Sequence, residues 1–159
     1  MRPILLIALV VSIADQVSKW IILKQVMVPP RVMGDKIEVT DFLNLVLVYN
    51  RGISFGLLSN DTIPGPYLLA GVALIIASGV LVWAARQRRA ILTFAASLIV
   101  GGAAGNLIDR LVHGAVVDFL DFHAAGFHWP AFNLADCAIV TGVGVLFVDV
   151  FRGSRPPAK

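Results

Sequence analysis

Four stretches of this chain are apolar for about as long as a bilayer is thick, and that decides the solvent before anything else. "PYLLAGVALIIASGVLVWAA" (Pro66 to Ala85) and "AILTFAASLIVGGAAGNLI" (Ala90 to Ile108) carry no charge. Each is close to the ~20 residues that cross a hydrocarbon core. "CAIVTGVGVLFV" (Cys137 to Val148) is short by itself and reaches spanning length if Asp136 and Asp149 sit near its ends. "PILLIALVVSIADQVSKWIIL" (Pro3 to Leu23) is long enough but contains Asp15 and Lys19. Hydrophobic residues make up 58% of the chain and charged residues 14%, against soluble averages of roughly 45–50% and about 25%. A water-soluble fold could not hide that much apolar surface. The expected class is a mainly α integral membrane protein of four transmembrane helices. The spans are placed at about 3–23, 66–85, 90–110 and 133–151, within a single membrane-embedded domain, 1–159.

The first run has the apolar stretch of a cleaved signal peptide and a minimal basic start at Arg2. No small-x-small cleavage site follows, and "WIIL" continues the hydrophobic pattern, so it reads as a retained helix. Charge sets the orientation. Arg86, Arg88 and Arg89 crowd the link between runs two and three, Arg152, Arg155 and Lys159 fill the tail, and Arg2 starts the chain. In a four-span topology all of these lie on one side, which the positive-inside rule assigns to the cytoplasm with both termini. No basic run interleaves with aromatics, so nucleic acid is not an expected partner. The lone Cys137 lies in an apolar run and reads as a small buried residue.

Two outer loops remain, about 24–65 and 111–132. "KIEVTDFLNLVLVYN" alternates and is rich in Val, Leu and Tyr, so it reads as strand, as does "GAVVDFLDF". "HAAGFHWP" reads as loop. A small β-rich platform at the outer surface is expected, because strands at membrane depth would leave backbone groups unbonded.

Ionisable residues in spans are rare and suggest function. Here they gather at the outer helix ends. Asn106, Asp109 and Arg110 share one face of the third helix, Asn133 and Asp136 one face of the fourth, and Asp15 and Lys19 one face of the first. Each has a bland alternative. Asp15–Lys19 can be a structural pair, Asp109–Arg110 an interfacial anchor or a paired charge, and Asn133 a helix cap with Asp136 in the first turn. Gly101 and Gly105 form a small-xxx-small packing pattern. Asp121 reads as a solvated carboxylate. His113, His123 and His128 lack metal-ligand spacing and read as surface residues, and no serine has a base nearby in sequence. The sharper reading pairs Asp118, inside the apolar "AVVDFLDF", with Asp136. Two carboxyls held close in a poorly polar site share a proton, one acting as base toward water and the other as acid. Seventeen residues separate them, and sequence alone does not bring them together. A proton or ion path through the same cluster, or a non-catalytic scaffold, is equally compatible with these residues.

Five motifs in order narrow the choice: "DQVSK" (Asp15 to Lys19), "NRGISFG" (Asn50 to Gly56), "GGAAGNLIDR" (Gly101 to Arg110), "VVDF" (Val116 to Phe119) and "FNLAD" (Phe132 to Asp136). Any one is weak, but with them the chain resembles the bacterial lipoprotein signal peptidases, signal peptidase II, over essentially its whole length. The resemblance implies an aspartyl endopeptidase of the bacterial cytoplasmic (inner) membrane, with its active site toward the extracytoplasmic side. It implies substrates that are diacylglyceryl-modified prolipoproteins, cut just before the lipid-bearing cysteine. It also implies inhibition by globomycin, contact with membrane lipid, and no metal or organic cofactor. Carried over by motif, Asp118 and Asp136 correspond to the catalytic pair. Asn50, Gly52, Phe55, Asn106, Asp109, Arg110, Asn133, Asp15 and Lys19 correspond to residues that bind substrate or support the site. Ile53 and Ser54 depart from the small residues, often Ala, expected in the "NRGISFG" motif. "LADC", Leu134 to Cys137, looks like the cleavage box of a lipoprotein precursor, but its Asp stands where such a box needs a small residue.

Overall fold

The computed structural model describes residues 2–27, 35–52 and 64–153; Ile53, Ser54 and Phe55 lie outside the described residues. Four long helices form where the apolar runs stand. They are α1 (Arg2–Ile21), α2 (Pro64–Ala84), α3 (Ala90–His113) and α4 (Leu134–Gly153). A π-helical turn, Ile22–Val26, prolongs α1 and closes where the Met27 N–H donates to the Ile22 carbonyl at 2.8 Å. α2 starts on Pro64, a residue tolerated in a first turn because its missing N–H has no partner there anyway. α3 runs three residues past the expected Arg110. It stops at Gly114, which takes φ 65° and donates its N–H to the Arg110 carbonyl. All four helices are long and apolar enough to cross a bilayer. Large side chains point outward unpartnered, as lipid demands: Leu6 is 63% exposed, Ile75 73% and Val140 70%.

α3 is the hub and packs against α1, α2 and α4. Close packing needs small residues, since lipid tails supply no hydrophobic force between helices. A Cβ on Gly102 would collide with the Ala135 carbonyl of α4. One on Gly101 would come within 2.7 Å of the Ala8 carbonyl of α1. The packing reading of the glycine pattern therefore holds at Gly101. At 1.5 Å per residue, α3 is about 36 Å long, more than a ~30 Å hydrocarbon core. Its last turns, with Asn106, Asp109 and Arg110, therefore reach the edge of the bilayer.

At that end sits a four-stranded antiparallel sheet in the order β1-β2-β3-β4. The strands are β1 (Lys36–Thr40), β2 (Leu43–Asn50), β3 (Val116–Ala124) and β4 (Phe127–His128). The first outer segment, expected as one strand, is thus a hairpin turning at Asp41 and Phe42. Part of "HAAGFHWP", expected as loop, forms a second tight hairpin. Its turn residues Ala125 and Gly126 take φ 49° and 82°, the left-handed pair that two-residue hairpins require. Strand β3 is buried from Val116 to Phe119. Val117 and Phe119 join Ile22, Met27 and Leu47 in the core that seats the sheet on the end of α1.

One irregularity in this sheet matters. Leu45 faces Leu120 and Val48 faces Asp118, so Val46 and Leu47 together oppose Phe119 alone. A bulge of this kind shifts the side-chain alternation by one. Asn44 and Asn50, six apart on β2, would otherwise share a face. Instead Asn44 lies across from Asp121, and Asn50 follows Val48 onto the face of Asp118.

Candidate active site

The polar residues picked out by sequence meet at the junction of α1, α3, α4 and β3. Asn133 precedes α4, and its side-chain oxygen accepts the Asp136 N–H at 3.0 Å. The Asp136 Oδ2 in return accepts the Asn133 N–H at 3.2 Å. This reciprocal box satisfies helix N–H groups that would otherwise be unbonded. The cap reading of Asn133 therefore holds, and it does not compete with a role in the site. The Asn133 amide donates to Asp118 Oδ1 at 2.7 Å and to Asn106 Oδ1 at 3.1 Å. Asn106 in turn donates to Asp136 Oδ1 at 2.8 Å. The second Asp118 oxygen accepts from Asn50 at 3.1 Å. The Asn50 oxygen is held by the Gly52 N–H at 3.2 Å. Asp118 and Asp136 thus hang from one pair of hydrogen-bonded asparagines.

Asp118 is 2% exposed. Burial, joined by the charge of Asp136, outweighs the bonds from Asn50 and Asn133 and raises its carboxyl from 3.8 to about 6. Asp136 is partly open, and it occupies the first turn of α4, where the helix dipole favours negative charge.

Behind this pair lies a buried ionic cage. Lys19 Nζ contacts Asp15 Oδ2 and Asp109 Oδ2, each at 2.7 Å, and Asn106 Oδ1 at 3.2 Å. Backbone N–H groups also bond to these carboxylates. Asp15 Oδ1 accepts the Ala135 N–H at 2.9 Å, and Asp109 Oδ2 accepts the Val117 N–H at 3.0 Å. Asp15 therefore ties α1 to the start of α4, and Asp109 ties α3 to the strand that carries Asp118. Of the two bland readings of Asp109 and Arg110, the mutual ion pair does not form. Asp109 turns to Lys19, while Arg110 donates to the Asn106 carbonyl at 3.3 Å and lends its charge to Asp136 and Asp118.

Asp121 also departs from expectation. It is 7% exposed, not solvated, and accepts from Asn44 at 2.9 Å and from His128 Nδ1 at 2.9 Å. Burial pushes its carboxyl up, but these bonds outweigh it and hold it below the usual carboxylate range. His128 in turn stacks on His123, with ring centroids 5.0 Å apart. Among the described residues no cluster of His, Cys, Asp and Glu could hold a metal ion.

A sequence profile described as signal peptidase (SPase) II matches residues 7–152. The chain belongs to the signal peptidase II family. A lipoprotein signal peptidase of Cupriavidus necator is 42% identical over 93% of this chain and 82% of its own length. Another, of Burkholderia multivorans, is 44% identical over 98% and 91%. Among solved structures, a bacterial membrane enzyme determined by the in meso method superposes with TM-score 0.82 at 30% identity. It covers all of this chain and 94% of that one. As a member of signal peptidase II the chain is a multi-pass membrane protein of a protease family.

Two members of the network escaped the sequence reading. Gln16 donates to Asp109 Oδ1 at 2.8 Å and to the Gly105 carbonyl at 3.2 Å, which satisfies the other Asp109 oxygen and links α1 to α3. Its position beside Asp15 in an apolar helix was the available signal. Asn44 lay in a strand that reads as ordinary alternation, and only the bulge reveals its partner.

Proposed function

We propose that this chain removes signal peptides from diacylglyceryl-modified prolipoproteins by aspartyl chemistry, cutting just before the lipid-modified cysteine. The observation that supports it most is the suspension of Asp118 and Asp136 from the Asn106–Asn133 pair. Such a frame holds two carboxyls of unequal environment over one substrate bond. Asp118, buried and raised to about 6, is the acid that holds the shared proton. Asp136, at the positive end of α4, is the base that takes a proton from water. The water attacks the scissile carbonyl while Asp118 protonates its oxygen, and collapse of the tetrahedral species returns a proton to the leaving amine. The titration belongs to the pair as a unit.

Other residues support these two. Lys19, Asp15 and Asp109 lock three helices at one point, so the carboxyls keep their spacing without mobile counterions. Asn50, carried by the bulged strand, orients Asp118. Arg110 balances charge near the pair. Gly52 and Phe55 are carried over from the family motif as substrate-binding or site-supporting residues. No cofactor is required by this chemistry. The arginines of the α2–α3 link and the end of α4 lie opposite the sheet, which by the positive-inside rule supports cytoplasmic termini and carboxyls at the outer face of the cytoplasmic membrane. There the cleavage point of a lipid-anchored precursor would meet them by lateral diffusion. The whole chain, 1–159, acts as one domain, and globomycin competes for the same site. The test is cleavage of a diacylglyceryl-modified prolipoprotein by purified protein, with the unlipidated precursor as control. Cleavage of the lipidated form alone supports the proposal, and failure to cleave it refutes the proposal.

A further inference from the structure

At the end of the bundle remote from the carboxyls, α4 and the start of α3 line an open groove of about 340 Å³. Gly144 lies in its lining, and a Cβ there would meet nothing within 4 Å. Val145 and Val148 of α4 and Ile91 of α3 make apolar walls. The groove follows α4 from Thr141 to Arg152, about 16 Å at 1.5 Å per residue. That is about half of a ~30 Å hydrocarbon core, the depth of one leaflet. Its mouth is cationic. Asp149, the one acid lining it, is engaged by Arg89 in a two-pronged pair, with Nη1 to Oδ2 at 2.7 Å. Arg152 at the rim, and Arg86 and Arg88 on the link leading to Arg89, are exposed and have no carboxylate partner among the described residues.

We propose that this groove binds one anionic phospholipid, an acyl chain lying over Gly144 and the headgroup phosphate held at Arg152 and the arginine link. Apolar length alone would admit any lipid. The unpaired cations, gathered where the headgroup layer must lie, select for negative charge. The site is separate from the carboxyl pair and does not depend on the protease reading.

The experiment titrates the purified full-length protein in neutral detergent with phosphatidylglycerol, phosphatidylcholine of the same acyl chains, or inorganic phosphate. Bound lipid is read by native mass spectrometry and stability by the thermal midpoint. Phosphatidylglycerol should be retained at roughly tenfold lower concentration than phosphatidylcholine, and Arg152→Gln should weaken that retention about fivefold. Phosphate alone should not move the midpoint. Gly144→Leu, which puts a side chain into the groove, should abolish the preference, while Val143→Leu, outside the groove lining, should keep it. Equal retention of the two lipids by the wild type would overturn the proposal whatever the variants do. So would an effect of phosphate matching that of phosphatidylglycerol, or a preference that survives Gly144→Leu.

Discussion

Asp118→Asn should stabilise the fold relative to wild type as pH rises, even as it removes catalysis. The wild-type carboxyl is raised from 3.8 to about 6 by burial and the neighbouring Asp136. Between those two values the folded state binds more protons than the unfolded one, so wild-type stability falls as pH rises through the window and levels off above it. The gap corresponds to about 3 kcal/mol at 1.36 kcal/mol per pKa unit. Asparagine does not ionise and lacks this slope. It carries a fixed cost instead. Both Asp118 oxygens accept amide N–H groups, from Asn133 and Asn50. One of those contacts becomes donor against donor, at about 1–3 kcal/mol. The variant should therefore be less stable than wild type near pH 4 and equal or more stable near pH 7.5. At about 2–4 °C per kcal/mol for a chain of this size, the difference between their thermal midpoints should shift by about 6–12 °C across the window. Thermal unfolding of both proteins in the same detergent, in half-unit pH steps, measures it. A difference that is flat with pH, or that moves toward wild type as pH rises, would refute the claim that Asp118 is a buried carboxyl that keeps its proton up to about pH 6.

Other substitutions test the frame around it. Gly105→Ala would set a Cβ 2.5 Å from Asp15 Oδ2 and should lower the midpoint by several degrees and cut activity. Gly71→Ala, with nothing within 4 Å of its Cβ, should be neutral or stabilise by up to about 1 kcal/mol through helix propensity. Lys19→Met leaves Asp15 and Asp109 buried without their shared cation, a loss of about 3–5 kcal/mol. Adding Asp109→Asn should recover part of it, and additive losses in a double-mutant cycle would contradict the cage. Asn44→Ala strips a hydrogen bond from buried Asp121 and should cost about 1–3 kcal/mol, read as a lower midpoint with the cleavage site chemically intact.

Much of this architecture is legible in the chain because lipid imposes simple rules. A run near twenty apolar residues has few alternatives to a helix, and the arginines at 86, 88, 89 and 152 sort the ends. The carboxyl cluster was visible for the same reason, since charge in a span is costly enough to need a purpose. Pairings were harder. Asp109 could turn to Arg110 beside it or to Lys19 on another helix. The choice depends on how closely α1 and α3 approach, which the glycines at 101 and 105 permit but do not specify. Asp121 read as solvated because its burial comes from a second hairpin, made of residues that look like loop. The bulge in β2 leaves no mark on a period-two pattern. It is nevertheless what sends Asn44 to Asp121 and Asn50 to Asp118.

The central claim is that Asp118 and Asp136 act together on a lipid-anchored peptide bond. The direct measurement is cleavage of a diacylglyceryl-modified prolipoprotein by wild type, Asp118→Asn and Asp136→Asn, each purified and confirmed folded by its thermal transition. The account predicts cleavage by wild type and its loss in each folded variant. Cleavage surviving either substitution would contradict it.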